Sequence, residues 1–287
     1  RGFGRLQLPL SIDGVRIYLP ADNRLDFNRF LTPDLAEIQI QKGYVPVVNG
    51  PGGLGGAINL VTRKPTLPFE SEIQLGSILD REAGNDGWSG YARVGTRRDR
   101  FYAQVSGAYL DRDSWPLSGS FRPTAVENGG GRDGSANRDS RLNAKLGYMP
   151  NDTDEYTLSY TRQDGRKGAP LHVNNNPPVP ANSYWTWPWW NLENLYWLSN
   201  TRIGDQGYFR SRLFYNTFDN ALYAWDDARY TTQSLNGRFQ SLYDDDGYGG
   251  SLEVGLPLLP RSLTRIAAHY RRDRHVEFNI NRPTSAA

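Results

Sequence analysis

Two patterns divide the chain. From residue 69 onward, apolar and polar positions alternate with period two over runs of roughly ten residues, the mark of strands that present each face to a different environment. Phe101, Ala103, Val105, Gly107 and Tyr109 share one face; Tyr102, Gln104, Ser106 and Ala108 share the other. The same rule sets Leu142, Ala144, Leu146 and Tyr148 against Arg141, Asn143 and Lys145. It sets Tyr156, Leu158 and Tyr160 against Glu155, Thr157 and Ser159, and Ile266, Ala268 and Tyr270 against Arg265, Ala267 and His269. The alternation predicts nine strands, near 69–79, 88–97, 101–112, 139–149, 154–164, 194–203, 207–218, 248–256 and 263–275. Residues 1–65 differ. Short alternating runs at 10–15 and 36–40, a Gly-rich stretch and a β-like run at 57–62 predict a small mixed domain. Within it, Thr32-Pro33-Asp34-Leu35 is expected to begin one helical turn, because Thr caps and Pro is tolerated at the first helical position. Pro65 and Pro68 punctuate the chain, so the expected division is 1–65 and 66–287.

The connections carry independent information. Tight turns are expected at 97–100, 150–153 and 204–206, and long connections at 113–138, 165–193 and 219–247. A transmembrane barrel has short periplasmic turns and long extracellular loops; a sandwich or propeller has no reason to put every long loop at one end. Composition agrees: only 38% of residues are hydrophobic, yet 13% are aromatic, with 17 Tyr and 8 Trp, as girdles at two membrane interfaces require. No apolar run is long enough for a transmembrane helix, which alternating strands do not need. The expected fold class is therefore mainly β, a transmembrane antiparallel β-barrel with a small mixed α/β plug domain. A barrel of eight strands is filled by its own side chains, whereas a plugged lumen implies roughly 22 strands. About nine of them are visible here, so the chain is expected to be a fragment at both ends, from a multi-pass protein of a Gram-negative outer membrane.

Charge and candidate chemistry narrow the reading further. Lys and Arg number 33 against 31 Asp and Glu, with no basic stripe, so no nucleic-acid partner is expected. The absence of cysteine excludes disulfides and thiolate metal sites. His172, His269 and His275 lack metal-ligand spacing, and no metal or cofactor is expected. Gly50-Pro51-Gly52-Gly53-Leu54-Gly55 spells a dinucleotide motif, but Pro51 interrupts it and a β-like run follows where a helix is needed. Asp226 and Asp227 are the only carboxylate pair worth considering for a glycosidase; adjacent strand residues point to opposite faces, so no catalytic residue is expected. Asp244-Asp245-Asp246-Gly247 is expected at a solvated loop tip. By strand parity Arg93, Arg141, Lys145, Arg210, Arg212, Arg265 and Arg271 face the lumen against Glu70, Glu72, Glu155 and Glu253. That balance favours an anionic ligand unless plug carboxylates neutralise it.

An ordered series of motifs resembles TonB-dependent outer-membrane receptors. Arg1-Gly2-Phe3-Gly4 resembles a plug element of that family, Ile12-Asp13-Gly14-Val15 its hydrophobic-Asp-Gly-Val step, and Ile38-Gln39-Ile40-Gln41-Lys42-Gly43 its strand ending in Lys-Gly. The run from Gly50 to Pro65 is similar to its plug-terminal signature; Tyr44 and Asn49 depart from the usual pattern. The resemblance implies an active transporter that binds an extracellular ligand and imports it with energy from a TonB–ExbB–ExbD complex, whose contact box is not in this chain. It implies a ferric siderophore or other metal chelate as commonest cargo, with haem, cobalamin and glycans as alternatives and outer-membrane lipid as surroundings. A passive porin or an adhesin is the rival reading. The implied ligand surface combines Arg5 and Gln7, the following loop with Tyr18, Asp22, Asn23 and Arg24, and the aromatic segment Tyr184, Trp185, Trp187, Trp189 and Trp190. Those aromatics serve equally as an interfacial belt.

Overall fold

The structure, a computed structural model, describes Gly4 and residues 7–46, 49–80, 84–173 and 184–283. Two sheets organise it. The smaller one has four strands, β1 (Leu10–Ile12), β2 (Val15–Ile17), β3 (Leu35–Lys42) and β4 (Gly56–Thr62), in the order β2-β1-β4-β3. It is mixed, because β1 and β4 run parallel while the other neighbours are antiparallel. Asp13 (φ 49°) and Gly14 (φ 79°) close the β1–β2 hairpin in two residues, the left-handed pair that a type I′ turn demands. One 3-10 turn, Phe27–Arg29, follows β2, and Asp26 caps it by accepting from the Asn28 N–H at 3.2 Å.

The larger sheet is an antiparallel wall. Its strands are β5 (Glu70–Leu79), β6 (Asn85–Arg97), β7 (Phe101–Arg112), β8 (Asn137–Tyr148), β9 (Glu155–Gly168), β10 (Tyr184–Trp187), β11 (Trp190–Ile203), β12 (Gly207–Trp225), β13 (Phe239–Leu256), β14 (Thr264–Arg274) and β15 (Glu277–Asn281). Strands β10 and β11 both lie between β9 and β12, interrupted at Pro188, and β14 and β15 both pair with β13. The nine expected strands are therefore all present, each hydrogen-bonded to its sequence neighbours.

Burial along this wall inverts the soluble-protein rule. Val105, Leu146, Leu158, Leu195, Leu213 and Leu252 are exposed on one face, while Gln104, Asn143, Lys145, Ser159, Thr161 and Asn194 are buried on the other. The register makes the division continuous across strands. One inward row runs Gln104, Lys145, Ser159, Tyr196, Phe214, Gly249, Arg271; an outward row runs Leu146, Leu158, Trp197, Leu213, Gly250, Tyr270. Such an extended apolar surface would drive aggregation in water and suits a lipid-facing wall.

The inward polar face is buried because the small sheet lies against it. Glu72 on β5 and Arg271 on β14 both touch residues 1–65, through Arg63 and Tyr18. Nine strands spaced about 4.8 Å apart would be about 40 Å across if flat, more than twice the width of a four-stranded sheet. The wall therefore curves around the smaller sheet. At β11 and β12 the junction is apolar, with Leu10, Ile12, Ile17, Leu25 and Phe30 packing on Trp190, Leu192, Tyr196 and Phe218. At β8 and β9 it is ionic. Down these strands Lys167 meets Asp26, Asp139 meets Arg29 at 3.1 Å, Arg141 meets Asp34 at 3.5 Å, Lys145 meets Asp13 at 2.9 Å, and Glu155 meets Lys64. Gly165 gives Arg29 its place, since a Cβ there would collide with the guanidinium and with Asp139.

Three expectations are corrected. Thr32-Pro33-Asp34-Leu35 forms a turn, with the Leu35 N–H donating to the Thr32 carbonyl at 3.0 Å, and enters β3 directly; Asp34 is drawn to Arg141 and Asn143 instead of opening a helix. The long connections are shorter than expected, because β9 runs on to Gly168, β12 to Trp225, and β13 begins at Phe239. Asp244-Asp245-Asp246 consequently lies inside β13 and not at a loop tip: Asp245 is buried beside His275 at 2.6 Å, and Asp246 pairs with Arg274 at 3.3 Å. Beyond the apolar band the outward positions are no longer consistently apolar, so the alternation fades there while the hydrogen-bond ladder continues. The link from β5 to β6 is also short, so the alternation of loop lengths begins only after β7.

The Asp13 junction generates a test. Asp13 accepts from the Thr62 N–H (2.8 Å), the Thr62 hydroxyl (2.6 Å), the Tyr196 hydroxyl (2.7 Å) and Lys145 Nζ. Burial pushes its carboxyl up, but the Lys145 charge and these donors outweigh burial and hold it below the usual 3.8. A carboxyl depressed on folding stabilises fully above its unfolded value and loses that contribution as pH falls toward its folded value. Stability from this site is therefore flat from neutral pH down to the ordinary carboxylate range and falls below it. Lys145→Ala in the full-length protein should cost about 3–5 kcal/mol, since an unpaired buried carboxylate remains. Denaturation followed from neutral pH down through the carboxylate range checks both: Lys145→Ala at neutral pH, and the acid-dependent loss, which Asp13→Asn should abolish.

Candidate functional surface at the long-loop end

Residues 19–29 form the end of the small domain nearest the long connections. Leu19 and Leu25 are buried and anchor the segment. Between them Asn23 adopts φ 52°, with its N–H donating to the Leu19 carbonyl at 2.9 Å. Asp22 accepts from the Arg24 N–H at 2.9 Å and its carboxylate lies 3.3 Å from Arg24 Nε. This local pairing holds Arg24 outward, with 65% of its side chain exposed, beside exposed Phe27 and Asn28. Such a surface presents a cation, an amide and a ring on a rigid turn.

The wall meets it through Lys167, which holds Asp26 and stands 4.8 Å from the Trp187 ring centroid. Burial raises the Asp26 carboxyl, yet the hydrogen bond and charge of Lys167 leave it below its ordinary range, so Asp26 stays ionised. Above Trp187, Trp185 contacts Phe239 edge-on, with centroids 6.4 Å apart. A band of Phe27, Lys167, Trp187, Trp185 and Phe239 thus rises from the small domain onto the wall.

Strand alternation sorts the aromatic segment into separate duties. Trp185 and Trp187 are on the inward side. Trp189 packs on Tyr223, which in turn contacts Trp225, and the Trp225 indole N–H donates to Thr186 at 2.8 Å. Tyr184 packs edge-on against Tyr230, and these rings form an outward aromatic group separate from Trp185 and Trp187. Trp190 is buried between Phe30 and Phe218 with Arg29 5.5 Å from its ring, so it belongs to the junction.

The remaining expected residues sit elsewhere. Tyr18 stands beside Arg271, its ring 4.4 Å from that guanidinium, away from the 19–29 turn. Gln7 accepts from the Gly4 N–H at 2.7 Å through its side chain, and its carbonyl accepts from the Gly55 N–H. Arg5 lies outside the described residues. Lys167, Asp26, Phe27 and Phe239 were not anticipated; extending the inward series Gln163, Gly165 by one step would have identified Lys167. Asp226 and Asp227 serve the 226–238 connection. Although partly desolvated, Asp226 is held well below the carboxylate range by the N–H groups of Leu235 and Ser234 and by the Ser234 hydroxyl, while Asp227 binds Arg229.

The lumenal charge expected from parity is partly cancelled. Arg93 pairs with Glu70 and Glu72, and Arg141 and Lys145 pair with Asp34 and Asp13. Positive charge persists toward β12 and β14, where Arg212 is 4.0 Å from Glu253 and Arg271 pairs with Asp273 on its own strand.

This geometry, a small mixed sheet against the inner face of a curved antiparallel wall with an apolar exterior, is similar in fold to solved TonB-dependent outer-membrane receptors. No family model matches the chain, and no curated protein does. Solved structures do. The copper transporter OprC superposes with a TM-score of 0.72 at 13% identity, covering 99% of this chain and 42% of its own. The ferric citrate transporter FecA in unliganded form gives 0.70 at 16%, covering 100% and 42%. The FrpB iron transporter from Neisseria meningitidis gives 0.70 at 16%, covering 96% and 42%. At these identities the likeness is one of fold, and the chain spans about two-fifths of the length of these structures. The resemblance read from residues 1–65 and from the strand pattern is matched by that fold.

Substitutions separate the duties of the tryptophans. In the full-length protein, Trp187→Ala and Arg24→Ala should each weaken ligand binding by roughly 2 kcal/mol, about thirtyfold, with little change in stability. Trp190→Ala should instead cost about 3–5 kcal/mol of stability through the cavity it leaves. Ligand binding to whole cells at equal expression, alongside thermal denaturation, distinguishes them.

Proposed function

We propose that residues 1–65 are the later part of a plug domain and residues 66–287 the first strands of the barrel of an outer-membrane receptor. This receptor binds an extracellular ligand and imports it into the periplasm with energy delivered by a TonB–ExbB–ExbD complex. It is a transporter and not an enzyme: no bond is broken, and selectivity comes from binding and gating. The single observation that carries this reading is a folded insert ion-paired to the inner face of a lipid-compatible wall. Such an insert blocks an open pore, which weighs against a passive porin.

The favoured cargo is a ferric siderophore or another metal chelate. Two features support it. Cationic groups remain on the inner face after the plug carboxylates have neutralised β8, and the upper surface offers Arg24 and Lys167 next to aromatic rings, suited to anionic chelating oxygens and flat ligand faces. Structures of similar fold are described as copper, iron and ferric citrate transporters. Haem, cobalamin and glycans are the alternative cargoes.

Uptake of a radiolabelled ferric chelate panel by cells expressing the full-length protein tests the reading. Accumulation should require both the protein and TonB, and liposomes carrying the purified protein should not swell in small sugars. Sugar permeation without energy would replace this function with that of a porin.

A further inference from the structure

A cavity of about 530 Å³ separates the small sheet from the wall at β12–β14, on the far side of the plug from the Lys167–Trp187 band. Arg16, Asn59 and Gln39 line it from the small sheet, and Arg212, His269 and Arg271 from the wall. Its charge is unbalanced. Arg16 is half-buried; its Nη1 donates to the Pro51 carbonyl at 2.7 Å, while its Nε is buried with no partner among the described residues. The charge facing Arg16 is another cation. Arg16 and Arg271 both approach the Tyr18 ring, at 5.5 and 4.4 Å from its centroid. Burial, and then the Arg271 charge, push the Arg16 guanidinium below its ordinary range. The nearby carboxylates are already engaged, Asp273 by Arg271 at 2.7 Å and Glu253 by Arg212 at 4.0 Å. Three guanidiniums and an imidazole therefore converge on a space that no carboxylate of the described residues lines.

A half-buried cation set against another cation is costly unless an anion joins them. The rest of the junction shows the contrast, since every buried charge along β8 has an opposite partner. We propose that this cavity is an anion-binding site, distinct from the upper surface, that takes a small, multiply charged oxyanion between Arg16 and Arg271 with Arg212 as third donor. Guanidinium forks match carboxylate and phosphate oxygens through paired hydrogen bonds, and Tyr18 keeps the two forks apart at a fixed spacing. The site stands on its own geometry and does not require the transport reading.

The test uses the purified full-length protein with citrate and inorganic phosphate as probes at fixed ionic strength, followed by calorimetric titration and thermal denaturation. The wild type should bind at least one probe and melt higher in its presence. Arg16→Gln and Arg271→Gln should each weaken binding about tenfold or more, as loss of a charge-assisted bond does. Without probe, Arg16→Gln should melt at or above the wild-type temperature, because like-charge repulsion is relieved; a purely structural arginine would give the opposite sign. Absence of probe binding to the wild type, unchanged affinity in both variants, or a lowered probe-free melting temperature in Arg16→Gln would overturn the site. Citrate and phosphate arms tell which oxyanion it prefers. Energy-dependent uptake is scored separately, so loss of that activity leaves this site standing and its retention does not rescue it.

Discussion

The structure depends on the line of ion pairs that joins the small domain to β8 and β9. Each pair matches a charge on a turn or strand end of residues 1–65 to an inward side chain of the wall, and both signs occur on each side: Asp26 to Lys167, Arg29 to Asp139, Asp34 to Arg141, Asp13 to Lys145, Lys64 to Glu155. A strand presents an inward residue at every second position, so β8 supplies Asp139, Arg141 and Lys145 at fixed spacing. Sliding the small domain by one such step would set Arg29 against Arg141, leave Asp34 on uncharged Asn143 and take Asp13 from Lys145 to Gly147. Mixed sign thus specifies register, which a uniformly basic wall would not. Buried ion pairs contribute little net stability compared with apolar packing, but breaking one is expensive. Their role here is positional, while Phe30, Trp190 and Phe218 supply the apolar adhesion next to them.

A wall that is polar inside and apolar outside cannot stabilise itself by a hydrophobic core. Its inward residues are satisfied by neighbours across strands, as where the Tyr102 hydroxyl meets Glu155 at 2.6 Å and Thr157 at 2.8 Å, and by the plug. Charged and hydrogen-bonded contacts of this kind exchange partners with water at modest cost once opened, whereas a greasy interface does not. The apolar seam at β11–β12 and the charge-unbalanced cavity at β12–β14 are the two departures, one adhesive and one open to a ligand.

Most of the wall was legible in the sequence because period-two alternation survives wherever a strand crosses between lipid and lumen. It failed where strands rise beyond the apolar zone. There Asp244, Asp245 and Asp246 look like a loop, though the hydrogen-bond ladder carries β13 through them. The candidate surface was legible only in part. The family resemblance pointed to residues 17–24 and to the tryptophan segment; of these, Asp22, Asn23, Arg24, Trp185 and Trp187 lie toward the long-loop end, whereas Tyr18 and Gln7 belong to other environments and Trp190 to the core of the junction. The partners of the small domain were invisible, because Asp13 and Lys145 are 132 positions apart and nothing local marks them as a pair.

The claim that a mixed-sign charge register seats the small domain is tested most directly by a double-mutant cycle on Arg29 and Asp139 in the full-length protein. Denaturation of Arg29→Met, Asp139→Asn and the double variant isolates their coupling. Two charges in contact, almost fully buried, should couple by about 1–3 kcal/mol, with the double variant more stable than the sum of the single losses. Additive losses, with no coupling, would contradict a plug seated on β8 by paired charges.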